Sequence, residues 1–186
     1  MIGKSMSEIN LFTPLKIRGV EFANRLWVSP MCMYSANDGV VTEWHRVHLG
    51  AFATGGAGLV VVEATGVSPK GRISVGCTGI WNDEQAEAFR PITEFSKSMG
   101  SKIGIQLAHS GRKGSTTRPG SDHPIATEAE GGWIAEAPSA IAYGNMPIPH
   151  ALTVSEIQQL VLDFAAATKR SVDVGFDVIE IHSAHG

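Results

Sequence analysis

Two histidines, His182 and His185, stand three residues apart directly after the short apolar run Val178–Ile181. Imidazole rings donate hydrogen bonds, carry protons or bind metals, so this pair is the first candidate for chemistry. The run before them predicts a buried strand, and parallel α/β enzymes present reactive side chains at the carboxyl ends of such strands. The alternative is a strand end whose histidines only bond to nearby loops. A zinc site is disfavoured, because the pair lacks helical i,i+4 spacing and a Cys or Glu partner set.

Composition excludes several other classes of function. The 186 residues suffice for one domain with a core, and 43% hydrophobic and 18% charged residues are ordinary for a globular protein. A net charge of −3 predicts neither nucleic acid nor a membrane surface as partner. The first residues lack a signal-peptide pattern, and Cys32 and Cys77 make no disulfide framework. We therefore expect a cytoplasmic protein with no membrane partner.

Short apolar runs alternate with helical patterns along the chain, which indicates an α/β fold. The predicted elements are a hairpin around Gly19, a strand at 25–28, a helix from Thr42 to Gly55, a strand at 59–63, a helix from Asp83 to Gly100, a strand at 102–107, a helix from Thr153 to Gly175 and the strand at 178–181. The stretch from Gly114 to Ala151 is rich in Gly, Pro and Ala and too long for a plain connector. It indicates a functional segment or a lid.

Two architectures fit this order of elements, an open doubly wound sheet and part of a (β/α)₈ TIM barrel. No dinucleotide-binding or P-loop glycine motif follows any strand, which counts against the doubly wound alternative. Polar residues instead follow all four strands, and this favours the barrel. They are Cys32 and Tyr34, then Glu63 and Thr65, then Gln106 and His109, and finally His182 and His185. A barrel takes roughly 250 residues, so this chain covers the N-terminal hairpin and about four strands.

Seven stretches of the chain, in order and spacing, resemble the Old Yellow Enzyme family, and more narrowly its bacterial branch of xenobiotic reductase A and YqjM-type ene-reductases. They are Ser-Pro-Met-Cys-Met-Tyr at 29–34, Val-Glu-Ala-Thr at 62–65, Gly-Arg-Ile at 71–73, Gly-Ile-Trp-Asn-Asp at 79–83, Gly-Ile-Gln-Leu-Ala-His-Ser-Gly-Arg-Lys at 104–113, Ala-Pro-Ser-Ala at 137–140 and Ile-Glu-Ile-His-Ser-Ala-His-Gly at 179–186. The resemblance implies an FMN-containing barrel that takes hydride from NADPH or NADH. By ping-pong transfer it then reduces activated carbon–carbon double bonds, as in enones, and sometimes nitro compounds.

The resemblance also implies the domain and the assembly. Residues 11–186 would be the N-terminal half of a single FMN-binding barrel domain, after a disordered stretch or tag remnant at 1–10. Members of this branch are usually dimers or tetramers, so we expect a homo-oligomer acting on a small enone-type substrate.

The site residues follow from the same resemblance. The histidine pair His182 and His185 would hold the substrate carbonyl, Tyr34 would join that hydrogen bonding, and Cys32 would tune the flavin; these four form the expected catalytic set. Lys113 is a further expected substrate contact, and no metal is expected. The expected flavin contacts are Ser29, Pro30, Met31, Cys32, Ala64, Gln106 and His182.

Each of these side chains also has a structural alternative. Cys32 fits a small buried apolar residue, Gln106 a loop cap, Tyr34 a packed ring and Lys113 a solvated cation. We expect Cys77 to be structural. The same expectation holds for His45, His48, His123, His150, Trp81 and Trp133.

The family pattern continues beyond these residues with a proton-donating tyrosine, an arginine facing the flavin and phosphate-binding loops. A four-strand half-barrel would have two open edges and an uncovered apolar interior. We therefore predict that 186 residues alone are not a stable, active ene-reductase, and that the other half comes from a longer chain, another polypeptide or a second copy. Two further hypotheses stay open: a non-catalytic half-barrel that acts by assembly, and a dienoyl-CoA reductase-type flavin enzyme, which needs an iron–sulfur cysteine cluster that these residues lack.

Overall fold

A short hairpin opens the described part of the protein, which is residues 9–184 of a computed structural model. Its strands β1 (Leu15–Ile17) and β2 (Val20–Phe22) pair antiparallel, as the sequence around Gly19 predicted. Phe22 is buried against Leu59 and Val61 of the sheet that follows. The hairpin therefore covers one face of that sheet near the beginning of its strands.

A parallel four-stranded sheet with three helices follows. The elements are β3 (Trp27–Val28), α1 (Glu43–Thr54), β4 (Leu59–Gly66), α2 (Asp83–Ser98), β5 (Lys102–Ala108), β6 (Glu136–Ala137), β7 (His150–Ala151), α3 (Val154–Asp173) and β8 (Val178–Ile181). The strands of this sheet lie side by side in chain order, β3-β4-β5-β8. A doubly wound sheet reverses its strand order at a switch point, whereas a barrel adds each strand next to the last. The observed order fits the barrel prediction.

The helices begin where the sequence provides caps. Asn82 accepts a hydrogen bond from the backbone of Gln85 at the start of α2, and Thr153 accepts one from Glu156 at the start of α3. Both are capping boxes, in which the third helical residue bonds back to the cap. The cap of α2 is thus Asn82, one residue before the predicted Asp83.

The sheet has two faces of different character. On the helix-covered face, branched side chains of β4 and β5 pack against α1 and α2 in the main core. The strand and helix residues of this core include Leu49, Val60, Val62, Phe89, Ile92, Ile103, Ile105 and Leu107. On the opposite face the hairpin covers only the beginning of the strands, so the carboxyl ends are left to line a site.

The C-terminal unit departs from the predicted burial. We expected β8 to be buried, but Val178 and Ile179 are half-buried and Glu180 and Ile181 are exposed. The expected apolar face of α3 is only partly covered, because Leu160 and Phe164 pack against the main core while Val161 is 63% exposed. Among residues 9–184 no strand pairs with the outer edge of β8. An apolar pattern shows which side chains could be buried, but it does not supply the element that would cover them.

The segment from Gly114 to Ala151 contains no long helix or strand. Its two short strands, β6 and β7, pair parallel with each other inside the segment. Arg112 holds the segment to the body, because its guanidinium donates to the carbonyl oxygen of Ile141 and to Ser139. Short 3₁₀ turns occur at Pro69–Gly71, Gly111–Lys113 and Glu128–Glu130. Within the described residues no helix is both long enough and apolar enough to cross a bilayer.

Candidate functional site

A row of three side chains crosses the open face of the sheet near the strand ends. Strand register places Ala64 beside Gln106 and Gln106 beside Glu180. The Gln106 amide donates from Nε2 to Oε1 of Glu180 at 2.7 Å, which fixes the orientation of the amide. In residues 9–184 no hydrogen bond engages the carbonyl oxygen of Gln106, so it is available to a ligand N–H. The structure therefore does not support a loop-capping role for Gln106.

A bulge in β4 turns Glu63 away from this row. The register with β5 shifts between Val62 and Ala64, so Glu63 is the extra residue. Its Oε2 accepts the backbone N–H of Met33 at 3.1 Å, and its Oε1 lies 3.2 Å from Nε2 of His45. Both side chains of this imidazole–carboxylate pair are only 2% exposed. The pair ties the loop after β3 to α1 and β4, so His45 is structural, as expected.

Two cysteines meet beside Glu63. Cys32, in the loop after β3, is partly exposed, and Cys77 is fully buried. The two sulfurs and a Glu63 carboxylate oxygen all lie within 4.8 Å of one another. A hydrogen bond from Cys77 lowers the pKa of Cys32, although burial and Glu63 oppose this, and the same contact together with burial raises the pKa of Cys77. No motif in the sequence indicates this contact, and we expected Cys77 to have only a structural role.

Tyr34 follows this cluster in a strained backbone position. Its φ of 54° lies in the left-handed region, which is uncommon for a residue with a side chain. Burial, and after it the neighbouring Cys32, raise the pKa of the Tyr34 hydroxyl, so it stays a protonated donor near neutral pH. The ring borders a groove formed with 116–124. The structure thus places Tyr34 next to Cys32 but outside the cavity described next.

A cavity of about 250 Å³ opens at the ends of β5 and β8. Here the backbone N–H of His182 donates to the carbonyl oxygen of Leu107 at 2.9 Å, which holds the start of the final segment against β5. The cavity is lined by Ile73, Ala108, His109, Ser110, Lys113, His182 and Ser183. Two expected substrate contacts, His182 and Lys113, therefore share one cavity. His185 lies outside the described residues.

His109 lies in the wall of this cavity, with its Nε2 buried and facing Glu136. Its Nδ1 accepts the backbone N–H of Gly111 at 3.1 Å, so the neutral ring carries its proton on Nε2. Burial lowers the pKa of His109, and the carboxylate of Glu136, 3.7 Å away, only partly offsets this. The ring is therefore neutral near pH 7. Sequence reasoning noted His109 at a strand end but gave it no role.

Lys113 is held by the segment from Gly114 to Ala151. Its ammonium lies 4.5 Å from the ring centroid of Tyr143, a cation–π contact. Glu136 in the same segment binds Lys70 at 2.8 Å and approaches His109. The segment thus contacts residues at the cavity, in line with the functional role expected from its length.

The remaining expected flavin contacts lie in the loop after β3. Ser29 and Met31 border a narrow crevice beside Glu63 and α1, and Pro30 stands between them. Trp81 and Trp133 lie 5.1 and 5.0 Å from the guanidinium of Arg72, which matches their expected packing role. The sequence did not identify Glu180 as a site residue. Alternation along β8 could have identified it, since it shares a sheet face with His182.

Comparison with known proteins gives a consistent result. A model of the NADH:flavin oxidoreductase / NADH oxidase family matches residues 10–186. The chain is 50% identical over 181 residues to NADH:flavin oxidoreductase FG08077 of Gibberella zeae, covering 95% of this chain and 44% of that protein. It is 44% identical over 179 residues to the NADPH dehydrogenase of Bacillus subtilis, covering 95% and 48%. Among solved structures, Old Yellow Enzyme from Pichia sp. AKU4542 matches with a TM-score of 0.82 at 30% identity, covering 98% and 48%.

These matches confirm the expected family and fold. The solved relative is an Old Yellow Enzyme barrel, and the partial α/β sheet described above corresponds to about half of it. The chain likewise spans about half the length of the curated relatives it matches. The family description names NADH and flavin, and the name of the Bacillus subtilis relative contains NADPH. These names agree with the expected flavin cofactor and nicotinamide reductant.

Proposed function

The chain belongs to the NADH:flavin oxidoreductase / NADH oxidase family, and from this we propose that it contributes to an ene-reductase. The proposed reaction is the ping-pong reduction of activated carbon–carbon double bonds in α,β-unsaturated carbonyl compounds, with nitro compounds as a second substrate class. FMN, when bound, would supply the hydride chemistry, accepting a hydride from NADPH or NADH and passing it to the substrate. The chain's own residues would bind and orient the flavin and the substrate, and they would polarise the substrate carbonyl.

The row on the open sheet face fits the polar edge of a flavin. An isoalloxazine ring presents alternating N–H and C=O groups, and Gln106 offers a free carbonyl oxygen and a second N–H from an amide that Glu180 holds in place. Ala64 beside it is small enough for the ring to approach its backbone. Ser29, Pro30 and Met31 would border the ring from the loop after β3. The match between the polar edge of the flavin and the Gln106 amide is the basis for proposing flavin contacts at these residues.

The single observation that carries the proposal is the position of the cavity relative to this row. Gln106 and the cavity residue Ala108 lie two positions apart on β5, and His182 is fixed beside Leu107 between them. A substrate in the cavity would therefore lie next to a ring bound at Gln106. This is the arrangement that direct transfer between the two requires.

In the proposed complex the imidazole of His182 donates a hydrogen bond to the substrate carbonyl oxygen, and we assign the same task to His185. Donors aimed at this oxygen stabilise the negative charge that develops there when hydride reaches the β-carbon. Lys113 adds a positive charge at the cavity wall. Tyr34 and Cys32 would contact the ligands from the loop after β3, with the Tyr34 hydroxyl protonated.

We also propose that residues 11–186 form the N-terminal half of one barrel domain, completed by further strands beside β8. The support is the open surface described above, since Ile181 at the end of β8 is 62% exposed and Val161 on α3 is 63% exposed. Apolar faces of this kind mark a surface that another element covers. The covering half belongs to a longer chain, another polypeptide or a second copy in a dimer or tetramer.

The visible absorption spectrum of the purified protein tests the proposed function. We expect oxidised-flavin bands that bleach with NADPH and return with 2-cyclohexenone. We expect His182→Ala to lower kcat/KM for the enone by about 10²–10³, the usual loss for one donor to a developing oxyanion. The matched control is His123→Ala, which removes an exposed histidine that pairs with Glu130.

Three outcomes decide between the hypotheses. A flavin protein in which His182→Ala and His123→Ala are equally active would show that the cavity is not the substrate site. A protein that stays colourless with added FMN and forms a tight oligomer would favour the non-catalytic half-barrel. A flavin protein that needs an iron–sulfur cluster for turnover would favour the dienoyl-CoA reductase type.

A further inference from the structure

We propose that Cys32 and Cys77 form a peroxide-reactive dithiol, which is converted reversibly into an intramolecular disulfide. The proposal rests on these two thiols and does not depend on the proposed function. The two sulfurs lie within 4.8 Å of each other and of a Glu63 carboxylate oxygen, although the residues come from different loops. A small approach of the two loops would bring the sulfurs to bonding distance.

The two cysteines differ in the way that a stepwise oxidation requires. Cys32 is partly exposed, while Cys77 is fully buried behind it. Redox-responsive pairs combine an accessible sulfur of lowered pKa, which reacts first, with a neighbouring sulfur that resolves the product. The hydrogen bond from Cys77 and the backbone amide of Ala64 both lower the pKa of Cys32, so Cys32 has the properties of the attacking sulfur. Cys77 has those of the resolving one.

The loops that carry the thiols are already tied together. The backbone N–H of Ala36 donates to the carbonyl oxygen of Gly76 at 2.9 Å, directly before Cys77. A Cβ at Gly76 would lie 2.5 Å from the carbonyl oxygen of Tyr34, so the absence of a side chain there permits the close approach. Because the two backbones are held together directly beside the thiols, disulfide formation requires only local movement.

The oxidant is hydrogen peroxide, and the electrons balance in two steps. The Cys32 thiolate attacks the peroxide oxygen, the O–O bond breaks, and Cys32 becomes a sulfenic acid with release of one water. The Cys77 sulfur then attacks the Cys32 sulfur, the S–O bond breaks, and a second water leaves as the disulfide forms. Two thiols have given two electrons to the peroxide. A dithiol reductant reverses the change by thiol–disulfide exchange.

A metal site is the competing explanation of the same cluster, since two thiols and a carboxylate are zinc ligands. The structure favours the redox pair, because the Glu63 carboxylate is already engaged by the backbone of Met33 and by His45.

The test treats the purified protein with a small excess of hydrogen peroxide, alkylates the remaining thiols under denaturing conditions, and maps tryptic peptides by mass spectrometry. In this sequence trypsin releases Cys32 in peptide 26–46 and Cys77 in peptide 73–97. We expect these two peptides to become linked, with loss of two hydrogens (about 2 Da), and dithiothreitol to restore both free peptides.

The matched variant is Cys77→Ala, with Cys77→Ser as a second version in case one folds poorly. In either variant Cys32 has no resolving partner, so we expect no linked peptide and progression of Cys32 to the sulfinic and sulfonic acids. Three results would overturn the proposal. They are two alkylatable thiols after peroxide in the parent protein, equal overoxidation of Cys32 in parent and variants, and a stoichiometric zinc ion in the purified protein that protects both thiols.

Discussion

Two regions of the sheet are built from the same βα pattern and yet differ in burial. All eight residues of β4 are buried, and α2 buries six of its residues against the sheet. In the last unit no residue of β8 is fully buried, and α3 buries only Ala167 and Ser171. The difference shows that an amphipathic pattern defines a face, whereas neighbouring elements decide whether that face is covered.

The same contrast applies to the candidate site. The central strands β4 and β5 hold the Gln106 row and the buried Glu63 on a fully packed support, so these groups are fixed before any ligand binds. His182 stands at the end of the exposed β8, where its backbone N–H donates to Leu107 of β5. The proposed flavin side of the site is thus preorganised, whereas the proposed substrate side lies at the end of an edge strand.

The largest expected effect concerns two imidazole–carboxylate pairs, one in each region. Glu63→Ala removes the carboxylate that faces Nε2 of the buried His45 and accepts the part-buried Met33 amide, and we expect a loss of about 3–5 kcal/mol in unfolding free energy. Glu156→Ala breaks the contact to His150, whose side chain is 45% exposed, and should cost far less. Urea unfolding of both variants measures the difference. Equal losses would show that α3 is as well covered as α1.

The next effect compares isoleucines on neighbouring strands. Ile105→Ala on β5 removes a fully buried side chain and should cost about 2–5 kcal/mol. In the 186-residue chain Ile181→Ala on β8 should cost about 0.5 kcal/mol or less, because that side chain is 62% exposed. A loss above about 1 kcal/mol for Ile181→Ala would mean that β8 is covered in solution. That result would remove the contrast and support the proposed completion of the barrel.

Helix caps should show no difference between the regions. Asn82 caps α2 and Thr153 caps α3 through the same kind of hydrogen bond within one turn. We expect Asn82→Ala and Thr153→Ala each to cost about 1 kcal/mol, since capping depends on local backbone geometry and not on the packing of the helix. Asn82→Ser and Thr153→Ser, which keep a capping oxygen, are the controls. A severalfold difference between the two alanine variants would show that tertiary packing modifies the caps.

The smallest expected effect is a pH dependence of the stability of a helix start. We expect it for the cap of α3 and not for the cap of α2. In α3 the capping box contains Glu156, and hydrogen bonds from Thr153 lower the pKa of this carboxyl from 4.5 to about 2. Because the pKa of Glu156 is lower in the folded protein than in the unfolded chain, its ionised carboxylate stabilises the fold at pH values above about 4.5. This contribution disappears as the pH falls from about 4.5 towards 2. In α2 the same position is Gln85, which does not titrate in this range. Acid should therefore loosen the start of α3 first.

Amide hydrogen exchange at the two helix starts, followed between pH 5 and pH 2, measures this effect after correction for the intrinsic rates. Glu156→Gln gives α3 a neutral cap like that of α2, so the acid dependence should disappear in this variant. If the α3 start loosens equally in the parent and in Glu156→Gln, the titrating group is not Glu156.

Much of the local structure could be predicted from the sequence. The hairpin, the order of strands and helices, the capping residue Thr153 and the glycine helix ends depend on interactions over a few residues, which the sequence displays directly. The resemblance of seven stretches also identified the family and therefore the barrel. It assigned His182 and Lys113 to one site, and the structure brings both to one cavity, since both occur in motifs whose positions along the strands are fixed.

Tertiary structure alone decided which distant groups meet. Gln106 and Glu180 are 74 residues apart in the chain and become partners only through the register of β5 and β8. Cys32 and Cys77 meet because two loops pack together at Gly76, and nothing in the order of residues indicates that contact. The exposure of β8 did not follow from its apolar pattern, although the resemblance to half of a barrel predicted an open edge. Apolar spacing specifies which side chains could be buried, but burial itself is a property of the surface that another element does or does not cover.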